Sequence, residues 1–553
     1  MQGSEYDPIF SPEEIEILKQ YVTDPRSDVF CLLPTLLGFG GALFARYSRA
    51  PGGARVRLLK EFLDSNGKLD IEKLKGVIDR VLIAFGDDSV GEQESASLAC
   101  ENISNLATKE LEDCRIGLSP VEQSTRYVVY DQKNQFGRWR YLRPPEIIAA
   151  GLLEKYEAAM DFIFNTYADL VAPMSDYFRK LKPESKAEYA VRTGDLKKYK
   201  LAELTDDREI KAWQQTYRAD IRTKTCDTIR VLLPAATLTN VGFNGDGLAY
   251  QKMITKLLSH NLGEIKNLGY RAKEALSQVI PQYVKRAQEN EYLRTVDREM
   301  KKLVAGFKEK FARIDELDTK IDLFYVGEWM PHLMAIAHIL YPYTGFSLRS
   351  LYYLTYDLTP EEQLLIMETY CQHKSVRGNR RNRPGRALEF GYPITFDLIG
   401  DFGIYRDLQR HRMLTQERQL LNPYLGYKVP KELREAGFGD RVEDCVAKSK
   451  ELYELLYNAC GPEVAQYAVL FIFNIRWYMG MNYREAFHLM EIRTTPEGHP
   501  SYRRLVQEMY NKLSEKDSFI APLMEFVDHN DYFWSRAESE SAQRRKENQL
   551  NES

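Results

Sequence analysis

The sequence predicts a helix-rich α+β fold made of two diverged tandem copies of one domain. Three observations lead there. Helix-start signals precede apolar residues spaced three and four apart, short stretches alternate with period two, and both kinds of signal return almost 300 positions later. At 553 residues the chain is long enough for several packing units.

Ser11-Pro12-Glu13-Glu14 sets a capping Ser before Pro at the first helical position, with Glu at the third. Thr359-Pro360-Glu361-Glu362 repeats the device. Asp70 opens an apolar-periodic stretch through Ile78, Val81 and Leu82, which Gly86 closes. Val296, Met300, Leu303, Phe307, Phe311, Ile314 and Leu317 predict a long amphipathic helix carrying the chain from one copy to the next. The polar tail after Trp534 predicts disorder.

The copies align by offset. Pro34 of PTLL pairs with Pro331 of PHLM, 297 positions on (331 − 34), and Arg46-Tyr47-Ser48 falls against Pro342-Tyr343-Thr344. Alternation at Ala96, Leu98 and Cys100 predicts a strand, as it does at Ile394, Phe396 and Leu398. Polar signatures follow: SPVEQSTRY at 119–127 and QRHRMLTQER at 409–418, with Ser119 against Thr415, 296 apart (415 − 119). Arg230 in IRVLLPAATLT then meets Gln466 in AQYAVLFIFNI at an offset of 236 (466 − 230), so the first copy holds about 60 extra residues. The charged segment 182–225 is the natural insertion. The expected organisation is an N-terminal extension over 1–28, a first copy over 29–290, a connecting helix over 291–325, a second copy over 326–534 and a tail over 535–553.

Composition narrows the function classes. Lys plus Arg (76) nearly balances Asp plus Glu (80), for a net charge of −4, which argues against a general nucleic-acid binder. No apolar run approaches the ~20 residues that span a bilayer. MQGSEYDPIF lacks a basic-then-apolar signal, and the seven cysteines show no CxxC spacing. A cytoplasmic protein with reduced thiols is the expectation. Eight histidines leave little material for His-rich metal chemistry, so no metal site is expected. There is no P-loop, HExxH or GxSxG, and no recognisable nucleophilic triad.

Four constellations carry candidate chemistry. Ser119-x-x-Glu122 reads as a capping box at a helix start, the commoner meaning of such a pattern. The alternative is that Glu122, Ser124 and Arg126 bind an anionic, hydroxyl-bearing ligand, with Arg supplying a bidentate fork. Gln409-Arg410-His411-Arg412 is either a solvated helix face or a helix end whose side chains fan around a large polar cofactor. In NYREAFHLMEIR (482–493) polar and apolar residues share each helical stripe, as in a cofactor groove or a half-buried helix. His499 reads as a lone surface histidine. The basic loop with Lys374, Arg377, Arg380, Arg381, Arg383 and Arg386 is either solvated or polyanion-binding.

Together these residues resemble the flavin-dependent thymidylate synthase family, which carries R-H-R followed by S-x-N-E-x-S-x-R-Y in one stretch. Here the stretch is divided. The first copy has Ser119, Glu122, Ser124, Arg126 and Tyr127 but reads Cys114-Arg115-Ile116 at the R-H-R place; the second has Gln409 to Arg412 with Thr415 for the first Ser. Arg46-Tyr47-Ser48 is similar to the family's A-R-V-S segment, Arg230 with Leu233-Pro234 to its A-R-x-x-L-P, and Asn482, Arg484 and Arg493 to its N-x-R…L-R helix.

The resemblance implies, in each copy, a small mostly antiparallel sheet packed by helices. It implies bound FAD, reductive methylation of dUMP to dTMP, and NADPH and methylenetetrahydrofolate as co-substrates. Glu122, Ser124, Arg126 and Arg230 are then expected on the nucleotide, with Gln409 and Arg493. Ser48, Arg410, His411, Arg412, Asn482, Arg484 and His499 are expected on the flavin, and Arg493, Gln409 and Arg410 at the reacting centre. Because each copy keeps what the other lacks, composite sites are expected, in a homodimer of tandem chains that imitates the family's tetramer. The alternatives are a related pyrimidine-nucleotide C5-modifying flavoenzyme and a flavin- or nucleotide-binding pseudoenzyme.

Overall fold

The computed structural model describes residues 10–552, apart from 37, 48–52, 65, 81–87, 194, 315, 317–318 and 379–381. Both capping boxes form, on the helices Pro12–Leu18 and Pro360–Cys371. The helix begun by Asp70 runs Ile71–Asp79; Val81, Leu82 and Gly86 lie outside the described residues. Among the described residues no helix is long and apolar enough to cross a membrane.

Two small antiparallel sheets hold the strands. The first comprises β1 (Ser95–Ser104), β2 (Leu118–Glu122) and β3 (Leu238–Asp246), in the order β1-β3-β2. The second comprises β4 (Ile321–Tyr325), β5 (Ile394–Asp401), β6 (Thr415–Arg418) and β7 (Asn474–Met481), in the order β4-β5-β7-β6. Without β4 the two orders are the same. β1 buries Ala96, Leu98 and Cys100 on one face and exposes the residues between, as one-sided burial dictates. β5, central in its sheet, is buried along most of both faces.

The pairing register repeats with the fold. Ser119 faces Asn244. Thr415, 296 positions after Ser119 (415 − 119), faces Gly480, 236 positions after Asn244 (480 − 244). A one-residue slip would turn every side chain of a strand to the other face, so identical offsets mark one architecture used twice. These are the two offsets read from the motifs.

The chain divides into two compact units. One contains 1–101, 107–122 and 240–293; the other contains 102–106, 123–239 and 294–553. In the first, Tyr250 donates to the carbonyl of Ala96 across 2.9 Å, fixing the helix Gly247–Leu258 to its sheet. Gly269 lets the next helix approach, since a Cβ there would lie 3.0 Å from Leu257 Cβ. In the second, the helix Leu153–Leu181 buries Met160, Ile163, Phe164, Tyr167 and Phe178 against the helices Asp207–Ile229 and Gly439–Cys460. The 182–225 segment thus supplies most of a 23-residue helix that the second copy lacks.

Several expectations give way. The segment 291–325 is not one helix: Glu291–Gly306 ends beside Phe307, Lys308–Phe311 adds one turn, and β4 takes over at Ile321. Its apolar positions from Val296 to Ile314 still face the core, with Met300 and Phe311 buried among Leu333, Ile336 and Leu340, and Leu317 lies outside the described residues. The tail is a helix, Ala537–Glu552, packed on Asp207–Ile229. Its polar composition hid this because a neighbouring surface, not its own apolar face, orders it. Ser119 and Glu122 lie in β2 rather than at a helix start. Local side-chain patterning cannot outweigh a ladder of pairings supplied from more than 100 residues away.

Candidate functional site

The motif residues converge in the second unit. Arg126 sits in the turn after β2 and is buried. Its Nε and Nη2 donate to Asp227 Oδ1 and Oδ2 at 2.8 and 2.7 Å, a bidentate pair in the last turn of the helix Asp207–Ile229. Nη1 donates to the Glu497 carbonyl at 2.9 Å, and Nη2 also to Ser535 Oγ at 3.2 Å. Ser124 Oγ accepts from the Arg126 amide at 3.2 Å and so shapes this turn.

One residue past that helix, Arg230 donates from Nη2 to Asp407 Oδ2 at 2.9 Å. Asp407 lies at the end of the helix Phe402–Leu408, and Arg410 reaches 4.0 Å from its other oxygen. Burial works to raise the Asp407 carboxyl, but Arg230, Arg410 and Arg126 together hold it well below the usual carboxylate range. Asp227 is likewise held low against burial by the paired Arg126 guanidinium. The pairs form one buried lattice of alternating charge, spanning residues from both copies.

His499 is not a surface residue. It caps the helix Pro500–Lys516, accepting from the Ser501 amide at Nδ1 and donating from Nε2 to the Asp227 carbonyl at 3.2 Å. Burial, with Arg230 beside it, pushes its imidazole down to about 3, so the ring is neutral. A histidine four positions before a basic pair, Arg503-Arg504, looks solvated in sequence, and only the fold encloses it.

His411 follows the Phe402–Leu408 helix and is also buried. Its Nδ1 donates to Glu485 Oε1 at 2.6 Å, and its Nε2 accepts from Arg493 Nε at 2.8 Å. Burial lowers its basicity, with Glu485 opposing. Glu485 and Arg493 both belong to the helix Tyr483–Arg493, which Asn482 caps by accepting from the Glu485 amide at 3.0 Å. Gln409 is buried, and its carbonyl accepts from Gln416 Nε2 at 2.7 Å. Arg412 and Arg484 are exposed. Glu122 belongs to the other compact unit, where it pairs with Val241 in the sheet, and Ser48 lies outside the described residues.

A family model described as thymidylate synthase complementing protein matches residues 44–282 and 368–517. The chain belongs to this family. Two UPF0159 proteins are similar over their whole length: that of Chlamydia muridarum is 36% identical across 96% of this chain and 98% of its own. That of Chlamydia pneumoniae is 36% identical across 98% and 99%. A UPF0159 protein of Thermoplasma acidophilum is 28% identical across 90% and 97%. The gap in the thymidylate synthase complementing match, 283–367, contains β4, so the extra edge strand belongs to the join between copies.

The thymidylate synthase complementing family is flavin-dependent, and the donor set bears on where a flavin and a nucleotide would be held. Arg493 is half-buried, and among the described residues its only hydrogen bond is from Nε to His411, which leaves both Nη groups uncommitted there. Among the described residues Arg230 spends only Nη2, on Asp407 and the Gly403 carbonyl. These two forks, with exposed Arg484, suit planar carbonyl and phosphate acceptors. Arg126, His411 and His499 are instead satisfied within the chain.

The acidic partners Asp227, Asp407 and Glu485 escaped the sequence reading. One signal was present: each precedes a motif residue by three positions (Arg230, Arg410 and His488), the spacing at which a helix puts two side chains together.

Proposed function

We propose that this chain is an FAD-dependent thymidylate synthase-like enzyme, converting dUMP to dTMP with methylenetetrahydrofolate and NADPH as co-substrates. The single observation that carries the reading is the Arg493 fork. His411 holds its Nε, and Glu485 holds His411, so the two Nη groups are presented by a preset guanidinium. Directed at a uracil carbonyl, such a fork would stabilise the negative charge that develops on the pyrimidine when its C5 position reacts. The bound flavin would supply the hydride chemistry, so the reading asks no nucleophile of the protein.

In this reading Arg493, Gln409 and Arg410 line the reacting centre, Arg230 and Arg484 take phosphate, and Arg410 and Arg412 flank the cofactor. Arg126 and Arg230 of the first copy lie in the same compact unit as 407–411 and 493–499 of the second. That supports a composite site within one chain, two such chains making the homodimer. Cytoplasmic location follows from the nucleotide substrate class.

The saturation of Arg126 favours a second reading, a flavin- and nucleotide-binding protein that transfers no one-carbon unit. Purified protein separates the two. The enzyme reading expects a yellow protein, bleached by NADPH when dUMP is present, that forms dTMP on addition of methylenetetrahydrofolate. Yellow protein without dTMP supports the second reading, and protein that cannot be loaded with FAD rejects both.

A further inference from the structure

Among the described residues, His411, Glu485 and His488 form a cluster whose ligand atoms all lie within 4.8 Å of one another. Glu485 and His488 share a face of the helix Tyr483–Arg493, three positions apart. His411 reaches them from the end of another helix, its ring 5.4 Å from that of His488. Two members are buried and His488 is exposed, so the cluster is anchored on one side and open to solvent on the other. Two imidazoles and one carboxylate are the donor set of open zinc and non-haem iron sites.

We propose that His411, Glu485 and His488 bind a divalent transition metal of the Zn²⁺ class, and that occupancy releases Arg493 from His411. At present a proton bridges His411 Nδ1 and Glu485 Oε1 across 2.6 Å. Two ligands at about 2.0–2.1 Å from one ion sit roughly 3.0–3.4 Å apart, so a small opening of this pair admits the metal. Nδ1 must then give its lone pair to the ion, and its proton moves to Nε2. No proton is lost overall. Nε2 ceases to be an acceptor, and the Arg493 Nε–H, now 2.8 Å away, loses its partner. Metal and Arg493 therefore compete for the tautomer of one ring. The ionised carboxylate supplies the negative charge that offsets the neighbouring guanidinium. The inference requires only the chain and does not rest on the flavin reading.

Co²⁺ titration of the full-length, metal-stripped protein, followed by its visible absorption, tests this without turnover. Wild type should bind one ion per site with protein-ligand bands that Zn²⁺ displaces. H488A, at an exposed position, and E485Q should each weaken binding tenfold or more, while R493A, lacking the competing donor, should tighten it. Absence of those bands in wild type, or equal affinity in wild type and H488A, overturns the site. Unchanged affinity in R493A, with H488A still weakened, overturns the coupling to Arg493.

Discussion

Arg230 of the first copy and Asp407 of the second meet at 2.9 Å, buried, although 177 residues separate them in the chain. This contact and the Arg126–Asp227 fork are the charged links of a lattice containing all the buried motif arginines that carry candidate roles. Its energetics differ from those of a surface ion pair: the cost of burying each charge is offset only while its partner stays in place.

Removing one partner should therefore be costly. D407N leaves Arg230 buried without its counter-charge, and we expect a loss of about 3–5 kcal/mol, read as a lower urea midpoint. Replacing both residues with apolar ones should recover part of that loss. A D407N protein as stable as wild type would mean that Asp401 or solvent already compensates Arg230.

Acid should destabilise the molecule partly through His499. Its folded pKa, about 3, lies below the unfolded value of about 6.5, so the unfolded chain binds the extra proton between them. Stability from this residue is complete above pH 6.5 and is lost as pH falls toward 3. Asp401 opposes the trend: burial raises its carboxyl to about 6, so its contribution falls as pH rises from about 4 to 6. The difference between wild type and H499N isolates the histidine, since Asn also caps a helix. It should grow in favour of wild type by a few kcal/mol across that interval.

R493K keeps the charge and loses the fork. We expect a normal fold, a free His411 Nε2, and a kcat/KM for dUMP lower by roughly 10–100-fold, the equivalent of one or two charged hydrogen bonds. Equal kcat/KM in R493K and wild type would remove Arg493 from the reacting centre.

Truncation after Trp534 deletes Ser535, which accepts from Arg126, and Arg536, whose guanidinium lies 4.8 Å from the Tyr127 ring centre. It also uncovers the helix Asp207–Ile229. A charged hydrogen bond is worth about 1.5–3 kcal/mol, so a fall of several degrees in Tm is expected, with faster amide exchange over 207–229. Unchanged exchange there would show that the terminal helix adds nothing to the lattice.

Much of the fold was legible because its signals are local. Capping boxes at Ser11 and Thr359 act within four residues, and the alternation at Ala96, Leu98 and Cys100 reports burial of one strand face. The two offsets survive in the strand register because a sheet tolerates no slip where a face is buried. Ser119 failed as a helix start, and the tail failed as a disordered segment, where partners distant in the chain outweighed local preference.

Family, duplication and the division of the motif between copies were written in residue order, since each depends on which residues occur and how they are spaced. The use of each arginine was not. Arg126 finds Asp227 at a separation of 101 residues and Arg493 finds His411 at 82, and a guanidinium is a ligand-binding group or a structural one according to what lies within about 3 Å of it. That distance is set by the packing of helices from both copies into one unit, so the same side chain types at the same spacing could have been left open or closed.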